Sequence, residues 1–200
     1  MIRKTMLLLL ASAAVYAQDN VKLRNGIDLN VNILSNNAET IACESPHPGQ
    51  PYYIVKNDID QIRFGNGTVE DIQHPMPSLE EVKTRVLTLL NSYGLADESD
   101  QKISASFEGR LLRLLIPGEK SDSKNGSLFD LSKLYSYDEI SIRKDQRAYI
   151  NLWTNRVTDP EKKGKEGAHK AKLVIRANNM ENAALMLDAL KQLSKALKSS

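Results

Sequence analysis

The hydrophobic pattern divides the chain into an apolar leader, a region of short strands, and a longer region of strands framed by two helices. Over residues 27–33 apolar and polar positions alternate without interruption. Ile27, Leu29, Val31 and Ile33 fall on one face, and Asp28, Asn30 and Asn32 on the other. Period two predicts a half-buried strand. Residues 21–23 enter this strand through Asn25-Gly26, a hairpin signal because Asn-Gly accepts the positive φ of a type I′ turn. Residues 40–44, 52–56 and 59–64 read as further strands, and Asn66-Gly67 turns the chain back through residues 68–72. A run of short strands without a helix over residues 18–72 predicts a small antiparallel β barrel or curled sheet, since curling buries one face and reduces exposed edges.

Residues 73–77 (Gln-His-Pro-Met-Pro) read as a stiff connector, because each proline fixes φ and restrains the residue before it. Beyond it, Ser78 and Glu81 form a capping box. Leu79, Val82, Val86, Leu89, Leu90 and Tyr93 recur at helical spacing, and Gly94 suits the left-handed position after a helix. A helix is therefore predicted near residues 79–93. Strands are predicted at 103–107, 111–116, 140–142, 148–154 and 171–175, with a short strand or extended piece at 128–134. Asn178-x-x-Glu181 reads as a second capping box. It opens a final helix whose apolar stripe is Ala183, Met186, Leu187, Leu190, Leu193 and Leu197. Lys191, Lys195 and Lys198 lie toward its C-terminus, where they complement the helix dipole. A helix, an antiparallel sheet and a closing C-terminal helix over residues 78–200 make an α+β plan. The order is similar to the pleckstrin-homology-like plan, a topological analogy that carries no function.

At the N-terminus Arg3 and Lys4 precede the apolar run of residues 6–15, and Val15-Tyr16-Ala17 ends in a small residue. This predicts a signal peptide over residues 1–17, cut between Ala17 and Gln18. The run is too short to span a bilayer, and no later segment is apolar enough to do so. The mature chain is thus expected in the periplasm or secreted. The leader also changes how charge is read. The whole chain has 27 basic and 25 acidic residues, and both excess positives belong to the leader. Residues 18–76 hold 4 basic and 8 acidic groups, and residues 77–200 hold 21 and 17. The weakly basic balance is therefore no sign of a nucleic-acid partner. The halves carry opposite charge, which would favour their docking or simply mark two solvated faces.

Candidate chemistry is sparse. Cys43, the single cysteine, lies near Glu44 and His47, but zinc sites need three or four ligands and a cysteine nucleophile needs an oriented base. No phosphate loop, dinucleotide fingerprint or hydrolase elbow occurs, so neither a cofactor nor a metal is expected. A Lys-rich loop over residues 158–170 places Lys162, Lys163, Lys165 and Lys170 around His169, with Lys172 beyond. Such a cluster offers a contact for a polyanion, or else is a solvated loop diluted by Glu161 and Glu166. Tyr149 and Trp153 share one strand face and could form an aromatic platform or a sheet core.

Leu23, Asn25, Gly26, Pro51, Tyr53, Lys56, Ile59, Ile62, Asn66 and Gly67 carry a pattern that resembles a β module of uncharacterised secreted proteins of Bacteroidota. Asn182, Ala183, Leu187, Ala189 and Leu190 are similar to the closing helix of another such class. These turn and core residues imply fold and envelope location but no chemistry, and His47 between two prolines departs from the usual loop. The leading expectation is a non-enzymatic envelope module for binding or assembly, with another envelope protein as its partner. A secreted enzyme with a site between the halves, using Cys43 and His47, is the rival. A polyanion binder through the Lys-rich loop is the third reading.

Overall fold

The computed structural model describes residues 18–45, 50–96, 100–116, 126–143, 147–157 and 167–199. The predicted leader lies outside them. The first half contains β1 (Asp19–Leu23), β2 (Asp28–Val31), β3 (Ile33–Asn36), β4 (Thr40–Cys43), β5 (Tyr52–Val55), β6 (Ile59–Arg63) and β7 (Val69–Asp71). One sheet has the order β2-β1-β6-β7 and the other β3-β4-β5, all antiparallel. The strand predicted over residues 27–33 is broken at Asn32. The Asn32 carbonyl accepts from the Glu44 N–H at 2.9 Å, and its side-chain amide donates to Glu44 Oε2 at 2.7 Å. The chain therefore passes from the first sheet into the second, and periodicity continues through the break because both sheets face one core. β5 and β6, joined by a 3-10 turn at Lys56–Asp58, make the same passage. The result is a curled half-barrel around Val21, Val31, Ile41, Cys43, Ile59 and Ile62.

Both Asn-Gly pairs turn the chain, by a loop of a different kind from the two-residue turn expected. The Gly26 N–H reaches the Leu23 carbonyl at 2.9 Å, and Gly26 itself has φ +84°. Gly67 repeats this with Phe64 at 2.8 Å and φ +86°. Each loop thus closes a four-residue turn whose last residue is the left-handed glycine.

The second half contains α1 (Leu79–Tyr93), β8 (Gly94–Leu95), β9 (Ser104–Glu108), β10 (Leu111–Leu115), β11 (Ser127–Asp130), β12 (Ser136–Tyr137), β13 (Ser141–Ile142), β14 (Ala148–Val157), β15 (Ala168–Ala177) and α2 (Met180–Ser199). The fold is α+β. Its large antiparallel sheet runs β8-β15-β14-β11-β10-β9, and β12 and β13 also pair with β14. The Ser78–Glu81 capping box is formed in full. Gly94 is needed for a different reason from the one its position implies. Its backbone is extended (φ −73°), and a Cβ there would lie 2.6 Å from both Ile103 Cδ1 and the Leu90 carbonyl oxygen. At the edge strand β9, the Asn91 amide donates to the Ala105 carbonyl at 3.1 Å and accepts from its N–H at 2.7 Å. A side chain thereby occupies backbone groups that a further strand would otherwise pair with.

Helix α2 is buried on more than its predicted stripe. Ala183, Met186, Leu190, Leu193 and Leu197 pack with Ile150, Leu152, Leu173 and Ile175 of β14 and β15. Ala184, Leu185, Asp188 and Ser194 are buried as well. Part of this cover is the first half itself, since Val55 and Tyr53 of β5 belong to the same core. Polar contacts join the halves around it. Arg85 meets Glu39 at 3.1 Å and Asp188 at 3.4 Å, and Lys191 meets Asp58 at 3.6 Å. Asn57 donates to Asp188 Oδ1 at 3.0 Å, and Thr40 Oγ1 to Glu181 Oε1 at 2.7 Å. The second capping box accordingly differs from its prediction. Asn179, not Asn178, caps α2 by accepting from the Asn182 N–H at 2.8 Å, while Glu181 is turned toward Thr40 and Asn37.

Burial pushes the Asp188 carboxyl above the ordinary aspartate value of 3.8, and the nearby Asp58 adds to this against the opposing pull of Arg85, Asn57 and Lys191. The folded state therefore holds this proton more tightly than the unfolded state. Its contribution to stability is complete below 3.8 and is lost as pH rises through the elevated value. Urea titrations of wild type and Asp188→Asn across this window should show wild-type stability falling relative to the variant as pH increases; parallel curves would contradict the assignment. Leu190, 1% exposed among the two layers, should lose about 2–5 kcal/mol on replacement by Ala in urea denaturation.

Candidate functional site

Strands β14 and β15 pair in strict register from Ala148↔Ala177 to Val157↔Ala168. Ile150, Leu152, Leu173 and Ile175 alternate toward α2, so Trp153, Asn155, Lys170 and Lys172 are turned to the opposite face. Trp153 stands opposite Lys172, and Asn155 opposite Lys170. Tyr135, just before β12, joins them: its N–H donates to the Trp153 carbonyl at 2.8 Å and its hydroxyl to Asn155 Oδ1 at 2.8 Å. Lys170 Nζ lies 5.2 Å from the Tyr135 ring centre and 5.5 Å from the Trp153 ring, and Lys172 Nζ lies 5.8 Å from Trp153. Two ammonium groups thus flank one indole. At an exposed site such a cation–π contact contributes about 0.5–1 kcal/mol. That is weak enough for an incoming anion to draw the ammonium away.

The same segment borders a groove of about 300 Å³ between β12 and the C-terminal half of α2. Tyr135 and Tyr137 form one wall, and Lys191, Lys195 and Lys198 the other. Residues four and seven positions apart share a helix face, so the three lysines project together. Lys191 is held at the groove by Asp58 at 3.6 Å and lies 5.2 Å over the Tyr137 ring. Tyr135 and Tyr137 are 53% and 47% exposed, so their rings are open to a ligand. No carboxylate lines the groove among the described residues. Tyr135 borders both groups, which lie to either side of β12: the groove on the side of α2, and the Trp153 cluster on the opposite face of the sheet.

The residues predicted from sequence are distributed unevenly with respect to this surface. Ala17, Lys162, Lys163 and Lys165 lie outside the described residues, and Gln18 is the exposed residue preceding β1. His169 and Lys170, expected in a loop, belong to β15. Alternation turns His169 opposite Arg156, to the other face from Lys170 and Lys172. Of the two platform candidates, Trp153 is half-buried, whereas Tyr149 is buried with the Arg143 guanidinium 3.7 Å from its ring centre. Tyr135 and Tyr137 were not singled out by sequence, because a two-residue strand has too little periodicity to show its face. The lysines of α2 carried a signal in their spacing, but dipole complementarity accounts for them equally well until the neighbouring strand is known.

Cys43 faces the half-barrel core and is fully buried. Burial pushes its thiol up, the charge of Asp19 adds to this, and a hydrogen bond with Tyr52 opposes it. Tyr52 is itself raised to about 12, chiefly by burial. This is the reverse of the setting that activates a cysteine nucleophile. His47 lies outside the described residues, and the described residues contain no group of three or more His, Cys, Asp or Glu able to hold a metal ion. Among them no helix is long and apolar enough to cross a membrane. No protein-family model, curated protein or solved structure matches the chain. Cys43 should resist a thiol-reactive chromogenic disulfide in the native protein at neutral pH and react at the free-thiol rate in denaturant; rapid labelling of the native protein would contradict its placement.

Proposed function

We propose that the chain is an exported, non-enzymatic binding module of the cell envelope that takes an anionic ligand on its lysine–aromatic surface. The observation that carries this reading is the pairing of ammonium groups with aromatic rings in two clusters that Tyr135 borders, Lys170 and Lys172 about Trp153, and Lys191, Lys195 and Lys198 across the groove from Tyr137. Opposite charge draws the ligand in, and the ring faces provide contact area once it arrives. The leader and the resemblance to secreted proteins of Bacteroidota support export. The buried, up-shifted Cys43 weighs against the enzymatic alternative built on Cys43 and His47.

Two measurements test the proposal. N-terminal sequencing of protein recovered outside the cytoplasm should begin at Gln18; recovery of the intact leader in the cytoplasm would contradict export. On immobilised dextran sulfate the protein should be retained at low salt and released as salt rises, with no retention on neutral dextran. Lys170→Ala combined with Lys172→Ala should elute earlier, because fewer counterions are exchanged on binding. Equal elution of the variant and wild type would remove this surface from the interaction.

A further inference from the structure

We infer that the groove between β12 and α2 is a subsite for an acidic sugar unit, and that the ligand is an acidic polysaccharide running from this groove across Tyr135 to Trp153. The inference rests on the anionic-ligand reading above and adds a ligand class to it. Three features of the groove set that class. First, charge and ring are adjacent: Lys191 Nζ is 5.2 Å from the Tyr137 ring centre, with Lys195 and Lys198 following along the same helix face. A uronic acid presents the matching pair, a carboxylate beside an apolar C–H face. Second, the neutral polar side chains lining the groove are serines, exposed Ser136 and buried Ser194, and a hydroxyl can both donate and accept toward sugar hydroxyls. Third, the groove is small, about 300 Å³, at the lower end of the range for small-molecule sites.

Binding then proceeds as an exchange. The ligand carboxylate draws the ammonium of Lys191 from the Tyr137 ring into a charge-assisted hydrogen bond, and the ring face so uncovered receives the C–H face of the sugar. The next acidic units meet Lys170 and Lys172, whose ammonium groups leave Trp153 in the same way. Neither ring alone nor charge alone provides this recognition. The predicted exported location also favours a glycan over nucleic acid as the available polyanion.

Trp153 is the single tryptophan of the chain, so its fluorescence reports the exchange directly. The full mature chain is titrated with a galacturonate oligosaccharide, its methyl ester, and polyphosphate of equal charge. The acidic oligosaccharide should change Trp153 emission saturably, the methyl ester should not, and polyphosphate should bind more weakly. Tyr137→Ser, at an exposed position that keeps every lysine, should weaken the acidic oligosaccharide about tenfold through loss of the ring contact, and leave polyphosphate unchanged. Lys195→Ala combined with Lys198→Ala should weaken both. Unchanged binding of the oligosaccharide to Tyr137→Ser, or equal binding of polyphosphate, would overturn the acidic-sugar assignment while leaving the anionic-ligand reading in place. Equal binding of the methyl ester, or no response to either anion, would overturn both.

Discussion

Helix α2 is the element on which the rest of the structure depends, because it is buried from two sides at once. Its apolar stripe covers β14 and β15, as a closing helix on an antiparallel sheet must. Its other flank receives β5 and the turn after it, with Asp188 and Glu181 taking hydrogen bonds from Asn57 and Thr40. The half-barrel therefore completes the shielding of the helix that closes the second half. This arrangement also explains a buried carboxylate. Asp188 costs solvation, but it gives Arg85, Asn57 and Gln192 a common partner, and geometry rather than net stabilisation is its clearest contribution.

The candidate site follows from the same constraint. With α2 packed on the sheet on one flank and against β5 on another, its C-terminal half presents Lys191, Lys195 and Lys198 beside β12. Opposite-sign pairs between the halves, Glu39 with Arg85 and Asp58 with Lys191, match the opposite net charges read along the chain. The second of these pairs sits at the edge of the groove, so docking of the halves and the shape of the binding surface are physically linked. On the far side of β12 the strand register alone assembles the Trp153 face. Tyr135 connects the two, since one segment pairs with β14 and also walls the groove.

Much of this fold is legible in the sequence where the determinants are local. The Ser78 capping box and the stripe from Leu79 to Tyr93 locate α1, and alternation along β14 places Ile150 and Leu152 on the face that packs on α2, although Tyr149 and Asn151 on the other face are buried too. What is not legible depends on partners distant in the chain. The alternation of residues 27–33 reads as one strand because both sheets bury the same parity; only the pairing of Asn32 with Glu44 reveals the break. Asn178 and Asn179 are equally good caps until Thr40 and Asn37 claim Glu181. Gly94 looks like a left-handed stop, yet the Leu90 carbonyl and Ile103, both packed against it, are what exclude a side chain. The lysine–aromatic surface was least visible of all. Its members come from four separate segments, and each has an adequate local explanation by itself.

The central claim is that α2 makes the half-barrel and the large sheet one cooperative body. The chain supplies one natural probe for each: Cys43 in the half-barrel core and Trp153 on the large sheet. Equilibrium unfolding in urea, followed in parallel by Cys43 accessibility and Trp153 fluorescence, measures the coupling directly. The account predicts coincident transitions with one midpoint and one slope. Exposure of Cys43 at a denaturant concentration where Trp153 remains native would contradict it.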